Sequence, residues 1–190
     1  MDEQLDDGWD VLAHEMSLEV AAYLAALQEV TSGEAPDAAL PVLLLAVGQL
    51  CGAGARIGAL VDVVPEERFE PDTGSEDDVE DLRERLHALL GGLDVYCDLE
   101  DPVLSGEVTS GSLSTDLVAI AADLQHGRDH FEAGRPTEAM WWWQFSYLSS
   151  WGERAAASLR VLLTLLAHVR LDADAEQVME AEMAALHAHE

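Results

Sequence analysis

Two histidines and an aspartate in the stretch DLQHGRDH have a spacing that suits metal binding. Asp123, His126 and His130 are three and four residues apart, so a helix carries all three on one flank. Imidazole and carboxylate groups are common ligands of divalent metal ions. The set lacks a clear fourth ligand, and the alternative interpretation is a row of polar pairs on a solvated helix flank.

A second pair, Glu84 and His87, has the carboxylate-x-x-His spacing that di-iron helical bundles use. The other helices supply no clear facing carboxylates, so this pattern is incomplete as well. A divalent metal is the one cofactor that these residues suggest, and otherwise we expect none. No glycine-rich nucleotide loop and no GxSxG nucleophile motif occurs, so no catalytic residue is predicted.

The second feature that could carry function is the aromatic stretch EAMWWWQFSYLSSW at Glu138–Trp151. At about 100° per residue, Trp141 and Trp143 lie at the two edges of a wide apolar arc, which predicts that they belong to the core. Trp142 lies in the opposite arc with small and polar residues, among them Ser146 and Glu153. It either packs on a neighbouring helix or is an aromatic anchor of a binding surface.

These positions make up the predicted interaction residues. They are Trp142, Ser146 and Glu153, together with Phe69 in the acidic loop Pro65–Asp78. Phe69 is alternatively the residue that holds this loop against the core.

The charge of the chain restricts its partners. Thirty-eight acidic residues against 9 basic ones, all arginine, give a formal net charge of −29. Such a charge repels nucleic acid and anionic membranes, and it favours a basic protein partner or mimicry of DNA phosphates. The simpler interpretation is a solvated surface, because net charge speaks to solubility rather than to fold.

Hydrophobic periodicity predicts an all-α fold, a single-domain bundle of five or six helices. The predicted helices are Asp10–Val30, Asp37–Val61, Glu76–Leu90, a fourth from Ser112 or Ser114 to Ala133, a fifth from Pro136 to about Arg170 with a bend at Gly152, and a last one at Ala173–Ala188. The second is a central apolar helix, and the fourth and fifth form an antiparallel hairpin. The connection after Gly92 is predicted to be long and irregular.

The chain divides into an acidic tail at residues 1–8, a helical domain at 9–172 and a C-terminal helix at 173–190. The N-terminal sequence has no basic and apolar signal-peptide pattern, so we expect a cytoplasmic protein. The uncharged run Ala38–Ala55 is long enough to raise the question of a membrane span. Its glycines and acidic flanks favour a buried helix instead, and the spacings Gly48-xxx-Gly52 and Gly54-xxx-Gly58 predict close approach of another helix.

Four stretches are similar to a known family: PVLLLAVGQL, VPEERFEPD, DLQHGRDHFEAGRPTEAMWWWQFSYLSSWG and LLAHVRLD. They resemble an actinobacterial family of short helical proteins classed as a domain of unknown function, with relatives in Bacteroides-type bacteria. The resemblance covers roughly Leu18 to Asp172. It implies an intracellular bacterial protein, and it provides no catalytic residues.

Three functions follow as hypotheses from the sequence. The first is a non-enzymatic protein–protein interaction module. The second is a metal-dependent or small-molecule-binding helical enzyme, and the third is a DNA mimic or other partner of a nucleic-acid-binding protein.

Overall fold

The computed structural model describes the backbone of residues 2–60, 62–65, 76–101 and 103–187, and the side chains of residues 9–60, 62–65, 79–100 and 103–171. Within these ranges the chain forms six α-helices and one β-hairpin. In chain order they are α1 (Asp2–Ser32), α2 (Ala39–Gly58), α3 (Glu76–Leu90), β1 (Val95–Asp101), β2 (Ser105–Ser112), α4 (Leu113–Glu132), α5 (Pro136–Ser146) and α6 (Gly152–His187). The all-α, single-domain fold predicted from the sequence is confirmed as a mostly helical single domain, and a small two-stranded sheet is added to it.

Several helix ends follow the signals in the sequence. The bounds of α3 are those predicted, and α4 begins after Ser112, whose Oγ accepts a hydrogen bond from the Thr115 amide at 3.3 Å as an N-cap. Gly134 has a φ of +74° in the short link to α5, as a helix C-terminus requires. The first helix is longer than predicted, since it begins at Asp2, and a 3-10 turn at Pro36–Ala38 precedes α2.

The fifth and sixth helices differ most from the prediction. A π-helical turn at Tyr147–Trp151 separates them, and it comes before Gly152, where a bend was expected. Helix α6 then continues to His187 without the predicted break before Ala173. The π turn inserts an extra residue into the helix and so changes which side chains face α2.

Two glycines of α2 receive the side chains of this π turn. A Cβ on Gly54 would lie 2.5 Å from Trp151 and 2.5 Å from Tyr147, and one on Gly58 would lie 2.5 Å from the same tyrosine ring. Only hydrogen leaves enough room at both positions, so the predicted close approach at Gly54-xxx-Gly58 is confirmed. The close approach predicted at Gly48-xxx-Gly52 is wrong, because a Cβ on Gly48 would make only an ordinary contact with Leu159 at 3.7 Å and one on Gly52 would meet nothing within 4 Å.

The core lies where α2 packs against α1, α5 and α6, with α4 on the other side of α1 and α5. Among the described residues, one helix, Pro36–Gly58, is long and apolar enough to cross a membrane. That is weak evidence for a membrane protein, because a core helix of a soluble protein passes the same test. One face of α2 packs against the rest of the protein, and its buried residues are Ala39, Leu43, Ala46, Val47, Leu50, Ala53, Gly54 and Ile57.

The connection predicted to be irregular is instead an antiparallel hairpin. Its register pairs Val95 with Ser112 and Leu99 with Val108, and a bulge follows Leu99. Apolar side chains on this hairpin are largely exposed, so they do not follow the apolar/polar alternation of a strand with a buried face. Cys97 is an exposed free thiol on β1, and Cys51 is also free, so no disulfide joins them.

One tyrosine attaches the hairpin to the bundle. The Tyr96 hydroxyl donates to the buried Asp116 carboxylate at 2.7 Å, and the Arg154 guanidinium donates to the same carboxylate at 2.8 Å. Burial and the neighbouring Asp116 raise the pKa of the Tyr96 hydroxyl. A Cβ on Gly111, across the sheet, would collide with the tyrosine ring. The ring therefore fixes the hairpin against α4 and α6.

Candidate interaction groove

A groove of about 820 Å³ lies between α1, α3 and α4, and we refer to it as the α1–α3–α4 groove. It is lined in nearly equal parts by apolar and polar groups. The lining includes Leu24, Gln28 and Thr31 of α1, Val79, Asp81, Leu82 and Arg85 of α3, Val118, Asp123, Gln125, His126 and Asp129 of α4, and Trp142 of α5. Three of the predicted site residues, Asp123, His126 and Trp142, therefore meet at one concave surface.

Trp142 is a half-buried part of the groove wall. Its indole Nε1 donates to the Asp123 carbonyl at 2.9 Å, and its ring centroid lies 4.1 Å from that of His126. The Trp141 and Phe145 rings lie behind it, at 6.0 and 6.3 Å. Trp142 therefore both packs on α4 and presents an aromatic side chain to the groove, so the two interpretations of this residue are compatible.

The other two tryptophans have different surroundings. Trp143 is fully buried, as predicted, and its Nε1 donates to the Leu124 carbonyl at 3.0 Å. Trp141 is only half-buried, so the prediction that it belongs to the core is wrong; it stacks on the exposed Phe145 with centroids 5.4 Å apart. Its place at the edge of the apolar arc puts it beyond the helices that cover Trp143.

The groove carries more negative than positive charge. Asp81, Asp123 and Asp129 line it, against Arg85. The Asp129 carboxylate accepts from Gln125 at 2.7 Å, and the Asp123 carboxylate accepts from the Ser150 hydroxyl at 2.8 Å. These bonds hold two acidic side chains in fixed positions on α4, so the groove has a defined electrostatic pattern.

The residues predicted as metal ligands are only partly brought together. His126 and His130 are neighbours, with ring centroids 5.1 Å apart, but the Asp123 carboxylate is hydrogen-bonded to Ser150. Glu84 is exposed on α3 and does not line the groove. Over the residues with described positions, no group of three or more histidine, cysteine or acidic side chains could hold a metal ion.

His87 has a different partner, which the sequence did not reveal. Its Nδ1 lies 2.8 Å from the carboxylate of Asp94, and Asp94 is 2% exposed. The same carboxylate accepts from the Ser112 and Ser114 hydroxyls at 2.9 and 3.0 Å and from the Ser114 amide at 2.7 Å. Burial raises the pKa of Asp94, but the hydrogen bonds from His87, Ser114 and Ser112 outweigh it and hold the pKa below its usual value.

The remaining predicted interaction residues lie elsewhere. Ser146 is buried, and its hydroxyl donates to the Trp142 carbonyl at 2.7 Å, so its side chain is not part of a surface. Glu153 is exposed on α6 and faces the β-hairpin rather than the α1–α3–α4 groove. Phe69 lies outside the described residues.

The chain is similar in fold to a solved structure and matches a protein-family model. A crystal structure of protein BF1032 from Bacteroides fragilis is similar in fold, with a TM-score of 0.64 and 19% sequence identity over 80% of this chain and 89% of that one. No curated protein matches the chain significantly. The family model described as a domain of unknown function, DUF5063, matches residues 7–168, a range that includes all the residues that line the groove. The chain therefore belongs to the DUF5063 family.

Proposed function

We propose that this protein is a non-enzymatic interaction module of the bacterial cytoplasm, and that its α1–α3–α4 groove binds a basic amphipathic helix of a partner protein. The observation that carries the proposal is the position of Trp142 in the wall of a long, acidic and partly apolar groove.

The length of the groove suits a helix. Its lining on α4 extends from Val118 to Asp129. At a rise of 1.5 Å per residue this corresponds to roughly 16 Å. A bound helix that places anchor residues at i, i+3 or i+4, and i+7 spans about 10 Å between the first and last anchor, so it fits within this length. The half-buried side chains Leu24 and Leu82 supply apolar contacts for those anchors.

Trp142 supplies the aromatic contact that binding hot spots favour. Its indole N–H is already paired with Asp123, so a partner that covers the ring does not leave a buried polar group without a hydrogen bond. Tryptophans in such positions typically carry a large share of binding energy.

The negative charge of the groove favours a positively charged partner. Asp81, Asp123 and Asp129 outnumber Arg85, and the whole chain carries −29. A helix with lysine or arginine at its edges would be attracted, and its association rate should fall as salt rises.

The test is site-specific photo-crosslinking in cells of the native organism. A photoreactive residue replaces Gln28 in the groove or, as a matched control, Gln49, an exposed glutamine of α2 outside it. We expect an adduct from position 28 and none from position 49, and peptide mapping should place the adduct in a basic helix of the partner.

Removing groove charge gives the second comparison. The double variant Asp81→Asn/Asp129→Asn should weaken capture at position 28, whereas Glu15→Gln/Glu34→Gln, which removes two exposed charges elsewhere, should not. Equal labelling at positions 28 and 49, or capture that is insensitive to Asp81 and Asp129, refutes the proposal.

A further inference from the structure

A second groove, of about 640 Å³, lies between the β-hairpin and α6, and we refer to it as the hairpin groove. Its hairpin side is formed by Cys97, Asp98 and Leu99 of β1 together with Val108 of β2. Its other side is the α6 face that includes Ala156 and Arg160. It shares no lining residue with the α1–α3–α4 groove.

The hairpin groove runs along the outer edge of β1. Successive residues of a strand point to opposite faces of a sheet, so a groove lined by Asp98 and its neighbour Leu99 reaches the strand edge, and Val108 of β2 shows that it also extends onto one face of the sheet. The sheet has two strands, so no strand of the described chain pairs with this edge.

Hydrogen bonds show which backbone groups face the groove. The Leu113 amide donates to the Asp94 carbonyl at 2.9 Å, which extends the ladder of β1 and β2 by one pair. In an antiparallel ladder hydrogen-bonded and non-hydrogen-bonded pairs alternate, so Tyr96 and Asp98 bond to β2, whereas Val95, Cys97 and Leu99 direct their backbone groups outward. The Leu99 amide agrees with this, because it donates to the Asp98 side chain at 2.9 Å rather than to β2.

Side chains beside this edge are apolar and exposed. Val95 is 67% exposed, Leu99 43% and Val108 72%. Across the groove, Ala156 is a small residue and leaves room for another chain segment. Exposed aliphatic residues beside an open strand edge are typical of a site for strand addition.

Charge indicates what kind of strand fits. Asp98 and Glu100 lie on β1, and Glu153 lies across the groove. Arg160 is already bonded to the Asp98 carboxylate at 2.8 Å, so the acidic side chains outnumber the cation. A second copy of this chain paired through β1 would bring its own Asp98 and Glu100 against the same residues, and like charges across strands are unfavourable.

We propose that the outer edge of β1 accepts an extended, basic segment of a partner protein as a third strand, which lies between the hairpin and α6. Backbone hydrogen bonds to the amide and carbonyl of Cys97 and to the carbonyl of Leu99 hold the segment, because the Leu99 amide is bonded to Asp98. Alternate aliphatic side chains cover Leu99 and Val108, and lysine or arginine side chains meet Asp98 and Glu153.

The experiment selects the segment and then reports where it binds. A phage-displayed library of random peptides is panned on the full-length protein and counter-selected on Leu99→Lys. Val103→Lys, a change at an 87% exposed position in the turn of the same hairpin, is the matched control. Thermal melts check that both variants stay folded. We expect enriched peptides with alternating aliphatic and basic residues, which bind Leu99→Lys about tenfold or more weakly and bind Val103→Lys as well as the unaltered protein.

Alkylation of the exposed Cys97 thiol reports occupancy of the strand edge directly. The best synthetic peptide should slow alkylation of Cys97, and the same peptide with its pairing amides N-methylated should not, because it cannot donate to the β1 backbone. The proposal is overturned if no peptide distinguishes the protein from Leu99→Lys, or if the N-methylated peptide protects Cys97 equally. It is also overturned if Cys97 is protected in a concentration-dependent dimer without peptide, because the occupant is then a second copy.

Discussion

Gly127→Ala tests how closely α5 packs on α4. Gly127 lies inside α4, where alanine is normally the better helix former by about 1 kcal/mol. A Cβ at this position would lie 2.7 Å from Cε2 of Trp143 and closer still to Nε1 and Cδ1 of the same ring. Because Trp143 is fully buried and bonded to the Leu124 carbonyl, the ring cannot move aside without losing packing and that hydrogen bond.

The expected effect is therefore a loss of stability where helix propensity alone predicts a gain. Overpacking a core costs about 1–3 kcal/mol. Leaving the buried indole N–H unpaired adds about 1–3 kcal/mol. After subtracting the gain in propensity, we expect Gly127→Ala to lower the free energy of unfolding by about 1–5 kcal/mol. Urea denaturation measures this difference, and the m value should stay unchanged.

Gly52→Ala is the matched control. Gly52 lies inside α2, and a Cβ there would meet nothing within 4 Å. This substitution should raise the free energy of unfolding by about 0.5–1 kcal/mol. If Gly127→Ala is as stable as Gly52→Ala, then Trp143 does not occupy the position described, and the division of the three tryptophans into one core and two half-buried residues is refuted.

Three further changes test other parts of the structure. Trp143→Ala should cost about 3–5 kcal/mol and Trp142→Ala less, about 1–3 kcal/mol, because Trp142 is only half-buried; equal costs in chemical denaturation would contradict this order. The melting temperature should rise between low salt and physiological ionic strength, because ions screen the repulsion within a chain of charge −29. A melting temperature that does not change with salt would show that the acidic residues are well separated or paired. Asp94→Asn should cost about 1–3 kcal/mol near neutral pH. Because the folded-state pKa of Asp94 is lowered, the loss of stability in Asp94→Asn should have its full size above the unfolded pKa of about 3.9. The loss should shrink as the pH falls below that value. A stability difference between the two proteins that stays constant down to acid unfolding would contradict the hydrogen bonds assigned to this carboxylate.

Local signals in the sequence were enough to predict much of the helical frame. Ser112 marks the start of α4 because a serine before an apolar run is a strong N-cap, and its Oγ accepts from the Thr115 amide. Gly54 and Gly58 marked the α2 face that another helix approaches. The glycines could not indicate which side chains pack on them. Tyr147 and Trp151 reach this face only because of a π turn, and no residue pattern predicts that turn.

The hairpin could not be predicted from periodicity, for a physical reason. A half-buried strand shows alternation because one face is covered, whereas Val95, Leu99 and Val108 are all exposed. Strand propensity depends on such surroundings more than helix propensity does. The contacts that fix the hairpin join Tyr96 to Asp116, which also accepts from Arg154, and these residues are far apart in the chain, so the contacts are visible only in the fold.

The burial of Ser146 shows a related limit of helical-wheel arguments. The arc opposite the aromatic face of α5 was interpreted either as a face that packs on another helix or as a binding surface that includes Ser146, and the structure buries Ser146 and Ala139 on it. A serine hydroxyl that donates to the carbonyl four residues earlier, as Ser146 does to Trp142, has its hydrogen bond satisfied and can be packed. A face of small residues is therefore compatible with another helix, and α4 packs closely on α5.

Asp94 connects the two proposed binding surfaces. Through His87 it contacts α3, which forms one wall of the α1–α3–α4 groove, and through Ser112 and Ser114 it holds the base of the hairpin to the start of α4. Loss of this carboxylate should loosen both surfaces at once. Leu99→Lys and Asp81→Asn/Asp129→Asn each change one surface and leave Asp94 in place. Selective loss of one kind of partner in each variant would therefore show that the grooves bind separately, and loss of both partners in either variant would show that they act as one site.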